Sequence, residues 1–447
     1  MLNFVAIKFV ALFLSSARSL ILAAMLGPHS YGVFGTLLLI QQYLSYAALG
    51  MREGVTVRLA QRHDDPAEVA RVRSSALAWA GLVGMLVLAG LSASRSVLPE
   101  LAPYLPWVGA VSLLSIANEI LINLNRDQHK LKKIALLEVV YNGVPLATAL
   151  WLWHDISVTA ILASLVVGLL ATVTFYLATM PRLKLAEVSA ATMSRLVGTG
   201  LPLAVLSAVT LLVNSMFVVL ANWMALGPIV GLIVFASNLC TIVLFGLNSI
   251  AWAATSRSMR DLYAGDSVDA ERLRAERLRT IFRLGIVVAA PLCLLSEIIF
   301  RHVMRSYAGA VVFAFYLCLF QSYALLLFDE INRLTVTGRF AWVIAGYALL
   351  LALVCGTFLL FPGVKIMTLV IVGIGGYFIL AIAAVLYGER QGLMRHHDAS
   401  KWAFLSYPIV CGLLYASTGP LGAVLACVGY GALAGVSHRS LRSAAPR

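Results

Sequence analysis

The sequence predicts an all-α polytopic membrane protein with about 14 transmembrane helices. Of its 447 residues, 61% are apolar and 12% are charged, and the mean hydropathy is +0.91. A soluble domain has roughly 45 to 50% apolar and about 25% charged residues. A stretch of about 20 apolar residues is long enough to span a bilayer, and the chain contains fourteen such stretches. This composition excludes a soluble fold.

Charged clusters and Gly or Pro residues mark the ends of the predicted spans. The first span is not preceded by a cationic region and shows no A-x-A-like cleavage site, so we expect it to be retained rather than removed as a signal peptide. In chain order, the spans are expected near residues 4–25, 32–50, 75–94, 104–124, 134–153, 157–180, 197–223, 229–252, 281–300, 308–328, 341–361, 366–387, 402–418 and 420–437.

The positive charges are distributed asymmetrically among the connections. If the N-terminus is cytoplasmic, 27 of the 33 Lys and Arg residues lie in or beside cytoplasmic connections, as the positive-inside rule requires. The even number of spans then places the C-terminus in the cytoplasm too. Membrane topology therefore accounts for most of the net charge of +13, and we expect no nucleic-acid partner.

The connections leave no room for a soluble catalytic domain, so we do not expect an enzyme. The chain has no G-x-x-x-x-G-K-[ST] motif for ATP. Its six cysteines all fall in apolar segments without C-x-x-C spacing, and we therefore expect no metal site and no cofactor. The longest connection, residues 257–283, has alternating charges. It is expected to be a solvated cytoplasmic face or an amphipathic helix that presents Leu262, Leu273 and Leu278 to protein or lipid.

An internal repeat indicates two halves of equal topology. The segment L-G-P-H-S-Y-G-V-F from Leu26 returns as L-G-P-I-V-G-L-I-V from Leu226. Six spans separate the copies, so both keep the same orientation and imply a pseudo-twofold axis along the membrane normal. We expect two six-helix lobes, residues 1–190 and 191–400, around a central cavity. Residues 401–447 would then form an appended helix hairpin and a cytoplasmic tail.

The residues around the first repeat resemble a known family. An arginine inside span 1, the L-G-P-x-x-Y-G-x-F turn and the run Q-Q-Y-L-S-Y-A-A-L-G into M-R-E-G-V-T-V-R resemble the polysaccharide-transporter branch of the multidrug/oligosaccharidyl-lipid/polysaccharide (MOP) exporter superfamily. In these segments the chain is similar to Wzx-type flippases. The resemblance implies alternating-access transport of undecaprenyl-diphosphate-linked oligosaccharide across the bacterial cytoplasmic membrane. It also implies membrane lipids and polysaccharide-assembly proteins as partners.

The same resemblance implies roles for arginines. Related lipid II flippases place essential arginines in the cavity, and Arg18 and Arg52 match that pattern, with Arg257 as a looser counterpart. The sequence departs from those flippases in lacking a second arginine toward the outer end of span 1, where Leu22, Ala23 and Ala24 stand. This departure argues against lipid II itself as the substrate.

Charged residues inside span 1 are the strongest candidates for substrate binding. A charge in the hydrocarbon core costs several kcal/mol on insertion scales. A guanidinium offers a flat fork of donors to phosphate oxygens, so Arg18 is expected to bind the diphosphate. Alternatively, Arg18 pairs with a buried acid or with helix-end carbonyls, and Lys8 extends to the interface. The predicted polar face of span 1 comprises Lys8, Ser15, Arg18 and Ser19.

Polar residues on other spans suit sugar hydroxyls, because amides and hydroxyls donate and accept hydrogen bonds without fixed charge. Hydrogen bonding between helices is the alternative role. The candidates are Gln42, Ser45 and Arg52 in or beside span 2, Asn214 in span 7, and Asn238, Thr241, Asn248 and Arg257 in or beside span 8.

Two acidic residues, Glu119 in span 4 and Glu138 in span 5, are candidates for coupling transport to an ion gradient. Alternatively, they form structural ion pairs with the cations of the connection at residues 126–133.

Other functions stay open at this stage. A multidrug exporter of the same superfamily would bind organic cations through buried carboxylates, whereas span 1 carries cations. A lipid II-type flippase is a closer alternative. A membrane polymerase or ligase needs a large external loop, and the external connections here are short. No sequence feature excludes a scaffold for polysaccharide assembly.

Overall fold

A computed structural model of the chain describes residues 2–62, 65–94, 101–127, 131–153, 155–181, 185–264, 268–327, 331, 334, 339–361, 363–390 and 399–443. The secondary structure in these ranges consists of helices joined by turns and short irregular connections, and they contain no strand. The helices are α1 (Leu2–Ser45), α2 (Met51–Arg62), α3 (Pro66–Ala93), α4 (Leu105–Asp127), α5 (Leu131–Trp151), α6 (Val158–Ala178), α7 (Ala190–Trp223), α8 (Pro228–Ala264), α9 (Val268–Val303), α10 (Ala310–Leu326), α11 (Phe340–Leu360), α12 (Ile366–Arg390), α13 (Ala399–Thr418) and α14 (Pro420–Ser443).

The helices confirm an all-α polytopic membrane protein. In the described ranges, eight segments are long and apolar enough to cross a membrane. One of them, Val10–Ala48, has 39 residues, about twice the length of a span. Counting it twice and adding the shorter apolar helices Pro228–Leu244, Thr280–Cys293, Ala310–Leu326, Trp402–Thr418 and Pro420–Ala432 accounts for the fourteen predicted spans.

A break inside α1 separates the first two spans. Gly27 has φ 68° and ψ 170°, a combination that only glycine adopts readily. Pro28 follows and cannot donate a backbone hydrogen bond to the preceding turn. The L-G-P segment thus divides α1 where the sequence predicted the turn.

One cytoplasmic connection of the predicted topology, between the second and third predicted spans, contains helix that the sequence pattern missed. Residues 51–62 form α2, and α3 begins at Pro66, nine residues before the expected start of span 3. The Asp65 carboxylate caps α3 by accepting from the backbone N–H groups of Ala67 and Glu68. Low hydropathy marked this segment as a connection, although a capped polar segment forms a helix equally well.

The predicted helix in residues 257–283 falls in α8, which continues to Ala264, and in α9, which begins at Val268. The side chains of Leu262, Leu273 and Leu278 lie outside the described part of the structure, so the faces that they occupy stay a prediction.

The chain divides into two compact units, residues 1–211 with 227–231, and residues 212–226 with 232–447. In the first unit, α2, α3, α4 and α6 share an apolar core in which Met51, Val55, Ala76, Leu121 and Tyr176 are almost fully buried.

The second unit has a core rich in aromatic rings. Phe217 packs edge-on against Phe320 with ring centroids 5.4 Å apart, and Phe320 contacts Tyr377. The hydroxyl groups of Tyr377 and Tyr347 lie 3.2 Å apart. Aromatic pairs of this kind stabilise a core by more than the free energy expected from the apolar area that they bury.

The helix pair α13 and α14 packs into this second unit. Tyr323 on α10 donates a hydrogen bond to the Leu405 carbonyl at 3.2 Å, and Tyr316 donates to the Gly412 carbonyl at 3.2 Å. The hydroxyl of Ser406 lies 2.9 Å from that of Tyr430, which joins α13 to α14.

Candidate functional site

Arg18 lies in the first half of α1 and faces α5. Its guanidinium carbon is 5.9 Å from the centroid of the Tyr141 ring, within the range of a cation–π interaction. The Nη1 atom of Arg18 is buried and has no hydrogen-bond partner among the described residues. The predicted ion pair between Arg18 and a buried acid is likewise not found among them. The guanidinium therefore keeps donor capacity for another group.

The neighbours of Arg18 on the predicted polar face differ in their surroundings. Tyr31, almost fully buried, donates from its hydroxyl to the Ser19 hydroxyl at 3.4 Å, a contact that crosses the break at Gly27. Ser15 is half-buried. The Lys8 side chain lies outside the described residues.

A second charged cluster forms where α1 gives way to α2. Arg52 donates from Nη1 to Glu119 Oε2 at 2.8 Å, from Nη2 to Glu53 Oε1 at 2.5 Å and from Nε to the same Glu53 oxygen at 2.9 Å. The Tyr46 ring centroid is 6.0 Å from the guanidinium carbon. One cation thus lies between two carboxylates, so the group carries a net charge of about −1 when all three are ionised.

The electrostatics of this cluster keep Arg52 charged. Burial lowers the pKa of the Arg52 guanidinium, but the Glu119 and Glu53 carboxylates raise it by more, so the pKa lies above its ordinary value. The side chains of Arg52 and Glu119 are 32% and 34% exposed, and a third group could reach them.

The backbone before α2 positions this cluster. Leu49 has φ 51° and Gly50 has φ 82°, and these left-handed conformations turn the chain between the 3-10 turn Tyr46–Ala48 and α2. Trp79 on α3 donates from Nε1 to the Ala48 carbonyl at 3.0 Å, which holds the turn in place.

A pocket opens beside the charged cluster. It is lined by Ser45, Tyr46, Ala48, Gly50, Arg52, Glu53, Ile116, Glu119 and Ile120. Of the predicted polar residues, Ser45 lines this pocket, and its hydroxyl donates to the Gln42 carbonyl at 2.7 Å. Sequence reasoning missed Tyr46 and Glu53. The missed signal was that Glu53 directly follows Arg52 in a segment that forms a helix.

The two predicted coupling residues have different environments. Glu119 pairs with Arg52 on α2, and the side chains of Arg126 and Lys130 lie outside the described residues. Glu138 is half-buried on α5, one turn before Tyr141. Lys133, one of the cations of that connection, donates to the Thr179 hydroxyl and lies 5.0 Å from the centroid of the Tyr176 ring.

The remaining predicted residues belong to the second unit. Asn214 on α7 and Asn238 on α8 are half-buried. Thr241 and Asn248 are exposed, and the Thr241 hydroxyl donates to the Ser237 carbonyl at 2.9 Å. The Arg257 side chain lies outside the described residues.

No group of three or more His, Cys, Asp or Glu residues in the described part of the chain is placed to hold a metal ion. The two clusters of the first unit offer charge and hydrogen bonding. Arg18 offers a cationic donor to an anion, and the Arg52 group offers carboxylate oxygens and a shared cation.

Comparison with known proteins identifies the fold. No family model matches the sequence, and no curated protein matches it. Among solved structures, an inward-facing multidrug resistance MATE family transporter of the MOP superfamily aligns over 87% of this chain and 97% of its own, with TM-score 0.68 and 14% identity.

Two further structures extend this comparison. The lipid II flippase MurJ in an inward closed conformation aligns over 99% of this chain and 100% of its own, with TM-score 0.65 and 11% identity. A MOP superfamily transporter from Pyrococcus furiosus, described as having a binding pocket of reverse polarity, aligns over 87% of this chain and 95% of its own, with TM-score 0.57 and 15% identity. The chain therefore has the fold of MOP superfamily transporters.

Proposed function

We propose that this protein is a flippase that moves undecaprenyl-diphosphate-linked oligosaccharide across the bacterial cytoplasmic membrane by alternating access. The single observation that carries the proposal is the buried Nη1 of Arg18 without a hydrogen-bond partner among the described residues. The glycan would be an O-antigen, exopolysaccharide or capsule repeat unit. Both termini are proposed to be cytoplasmic.

The energetic cost of Arg18 favours a function over a purely structural role. An arginine at the centre of a span costs about 2.5 to 3.5 kcal/mol on insertion scales, and a buried donor without a partner costs about 1 to 3 kcal/mol more. The Tyr141 ring offsets only part of this. A diphosphate supplies anionic acceptor oxygens that would satisfy the guanidinium, and such charge-assisted hydrogen bonds are strong.

Arg52 has a more indirect role in this proposal. Its Nη1, Nη2 and Nε atoms all donate to Glu53 or Glu119, so a diphosphate that took over these donors would displace a carboxylate. Such a displacement would leave Glu119 without its cation and favour proton uptake, because the loss of a nearby opposite charge favours the neutral acid. This exchange is how Glu119 would couple transport to a proton gradient.

Other predicted residues complete the proposal. Gln42, Ser45, Asn214, Asn238, Thr241 and Asn248 would contact sugar hydroxyls, and Glu138 would serve as a second coupling acid. Lys8, Ser15 and Ser19 would extend the polar face of α1.

The MOP fold also includes multidrug exporters, which makes cation export the second candidate. An unpaired cation in span 1 repels organic cations and attracts phosphate. The charge of Arg18 therefore favours the lipid-linked substrate. Lipid II remains a related candidate, since it shares the diphosphate chemistry.

The test is deletion of the gene followed by complementation. We expect lipid-diphosphate-linked oligosaccharide to accumulate on the inner leaflet of the deletion strain, and the wild-type gene to reverse this. Arg18→Ala should fail to reverse it at normal protein abundance. Arg305→Ala, which removes an exposed arginine in a 3-10 turn, is the matched control and should complement.

Two results would contradict the proposal. Normal export by an abundant Arg18→Ala variant would exclude Arg18 from substrate binding. Sensitivity of the deletion strain to organic cations, without lipid-linked oligosaccharide accumulation, would support the multidrug exporter instead.

A further inference from the structure

Arg18 and Arg52 are held by different kinds of partner. The Nη1, Nη2 and Nε atoms of Arg52 donate to the carboxylates of Glu53 and Glu119. Arg18 instead lies over an aromatic ring, with 5.9 Å between its guanidinium carbon and the centroid of Tyr141. An aromatic ring attracts a cation through its quadrupole and carries no net charge. The Tyr141 ring therefore stabilises the positive charge of Arg18 without neutralising it.

The contact with the ring also leaves hydrogen-bond donors of Arg18 available. A guanidinium is planar and has five N–H donors, and the buried Nη1 of Arg18 has no hydrogen-bond partner among the described residues. A carboxylate in place of the ring would accept from these donors, as the two glutamates do at Arg52. The arrangement at Arg18 therefore suits an anion that comes from outside the protein.

Tyr141 is held in place by the packing of α5. A Cβ atom on Gly168 of α6 would lie 3.3 Å from the Tyr141 carbonyl oxygen and 3.6 Å from the Val144 Cβ atom, so α5 and α6 meet closely at this point. The helix α5 also packs along α1, which carries Arg18. Groups on packed helices keep a more precise geometry than groups on loops. The Tyr141 ring is therefore a fixed support for the guanidinium.

The hydroxyl group of Tyr141 is a second donor at the same place. Tyr141 is half-buried, and its hydroxyl makes no hydrogen bond to another of the described residues. A phenolic O–H donates one hydrogen bond. Because the hydroxyl belongs to the ring over which the guanidinium lies, an anion bound to Arg18 can reach it. The alternative explanation is that the ring only offsets the cost of burying Arg18, in which case the hydroxyl contributes nothing.

We infer that Tyr141 and Arg18 form one site for a phosphate-type anion, in which the ring holds the guanidinium and the hydroxyl donates a hydrogen bond to the bound oxygens. The inference rests on the proposed function in so far as it takes the diphosphate of a lipid-linked substrate as the anion. Tyr141 is then a substrate-binding residue that the sequence did not indicate, because a tyrosine in a span lacks the insertion cost of a charge that singled out Arg18.

The test measures binding of inorganic diphosphate to the full-length protein in detergent micelles by calorimetry. Tyr141→Phe keeps the ring and removes the hydroxyl, so the affinity should fall about tenfold, the value of one hydrogen bond to a charged group. Tyr141→Leu removes the ring as well and should lower the affinity by about a further threefold. Arg18→Ala should abolish binding.

A matched control is available in the same unit. Tyr104 is also half-buried and lies in the turn directly before α4. Tyr104→Phe and Tyr104→Leu should bind diphosphate with the affinity of the wild-type protein. Thermal unfolding in the same detergent establishes that each variant is folded.

A spectroscopic measurement separates substrate contact from a merely structural role. Replacement of Tyr141 by 3-fluorotyrosine keeps both the ring and the hydroxyl, and its ¹⁹F signal should shift when diphosphate is added. The shift should be absent in Arg18→Ala and absent for 3-fluorotyrosine at Tyr104. This measurement decides the matter even where Tyr141→Leu does not fold.

Three results would overturn the inference: wild-type affinity in both Tyr141 variants, an equal loss of affinity in the Tyr104 variants, or a ¹⁹F shift at Tyr141 that persists in Arg18→Ala. Flipping of undecaprenyl-diphosphate-linked oligosaccharide in lipid vesicles is scored separately. Weaker diphosphate binding in Tyr141→Phe with unchanged flipping would reveal an adventitious anion site only and would also overturn the inference.

The outcomes distinguish this inference from the proposed function. Diphosphate binding that depends on both Arg18 and Tyr141, in a protein that flips no lipid-linked oligosaccharide, would contradict the proposed function and support the anion site. Flipping that depends on Arg18 but is unchanged in both Tyr141 variants would support the proposed function and remove Tyr141 from the site.

Discussion

Arg52 on α2 donates a 2.8 Å hydrogen bond from Nη1 to Oε2 of Glu119 on α4, 67 residues further along the chain. The same guanidinium contacts Glu53, its neighbour in sequence. An arginine that the sequence marked as a substrate ligand is therefore held by two carboxylates. The Nη1 atom of Arg18, by contrast, is buried and has no hydrogen-bond partner among the described residues. The two arginines are expected to differ in what their removal changes.

Two substitutions of Arg18 should show how much of its contribution to transport comes from its positive charge and how much from the geometry of its hydrogen-bond donors. Arg18→Lys keeps the positive charge but loses the planar fork of donors that can bind two phosphate oxygens. We expect partial transport from Arg18→Lys and none from Arg18→Ala, measured as exported glycan per molecule of protein in the membrane. If Arg18 is structural instead, Arg18→Ala will lower protein abundance rather than transport per molecule.

Breaking the Arg52–Glu119 pair should affect stability. The two side chains are about one third exposed, so solvent weakens their attraction and we expect a coupling energy of about 1 kcal/mol. The measurement is a double-mutant cycle of Arg52→Ala and Glu119→Ala by thermal unfolding in detergent. Strictly additive effects would show that the two residues do not stabilise each other.

Gly27→Ala should destabilise the fold through the backbone alone. Its φ of 68° and ψ of 170° cost a residue with a Cβ about 1 to 3 kcal/mol, while the space around the added atom is open. Denaturant unfolding of the purified protein measures the effect.

The control for Gly27→Ala is Gly81→Ala in α3, where a Cβ also meets nothing within 4 Å and the backbone is helical. This substitution should be neutral or stabilise the protein by about 0.5 to 1 kcal/mol. Equal effects of the two substitutions on stability would show that the positive φ of Gly27 does not account for the effect of Gly27→Ala.

The topology can be tested by thiol labelling in intact cells. Both termini are expected inside, because that arrangement places 27 of the 33 Lys and Arg residues at cytoplasmic connections. A cysteine introduced by Ala399→Cys, at the start of α13, should not react with an impermeant reagent until the cells are opened. Reaction in intact cells above the wild-type level would reverse the topology.

The sequence by itself determined the class of the protein and the course of its helices. Hydropathy over about 20 residues is a local property that predicted the fourteen spans, and the glycine and proline of the L-G-P segment, equally local, marked the break at Leu26–Pro28. The cost of a charge in hydrocarbon is equally local, and it singled out Arg18 without any knowledge of neighbours. The polar helix α2 was missed because it does not cross the membrane, so hydropathy gives no signal for it.

Tertiary structure alone decided which residues meet. Nothing in the sequence pairs Arg52 with Glu119 or brings Tyr141 beneath Arg18, because each contact joins helices that are distant along the chain. The rotation of each helix about its axis selects these partners, and that rotation depends on the packing of all its neighbours together. A pattern within one segment therefore predicts a polar face, and only the packed helices show which of its residues still has an unsatisfied donor.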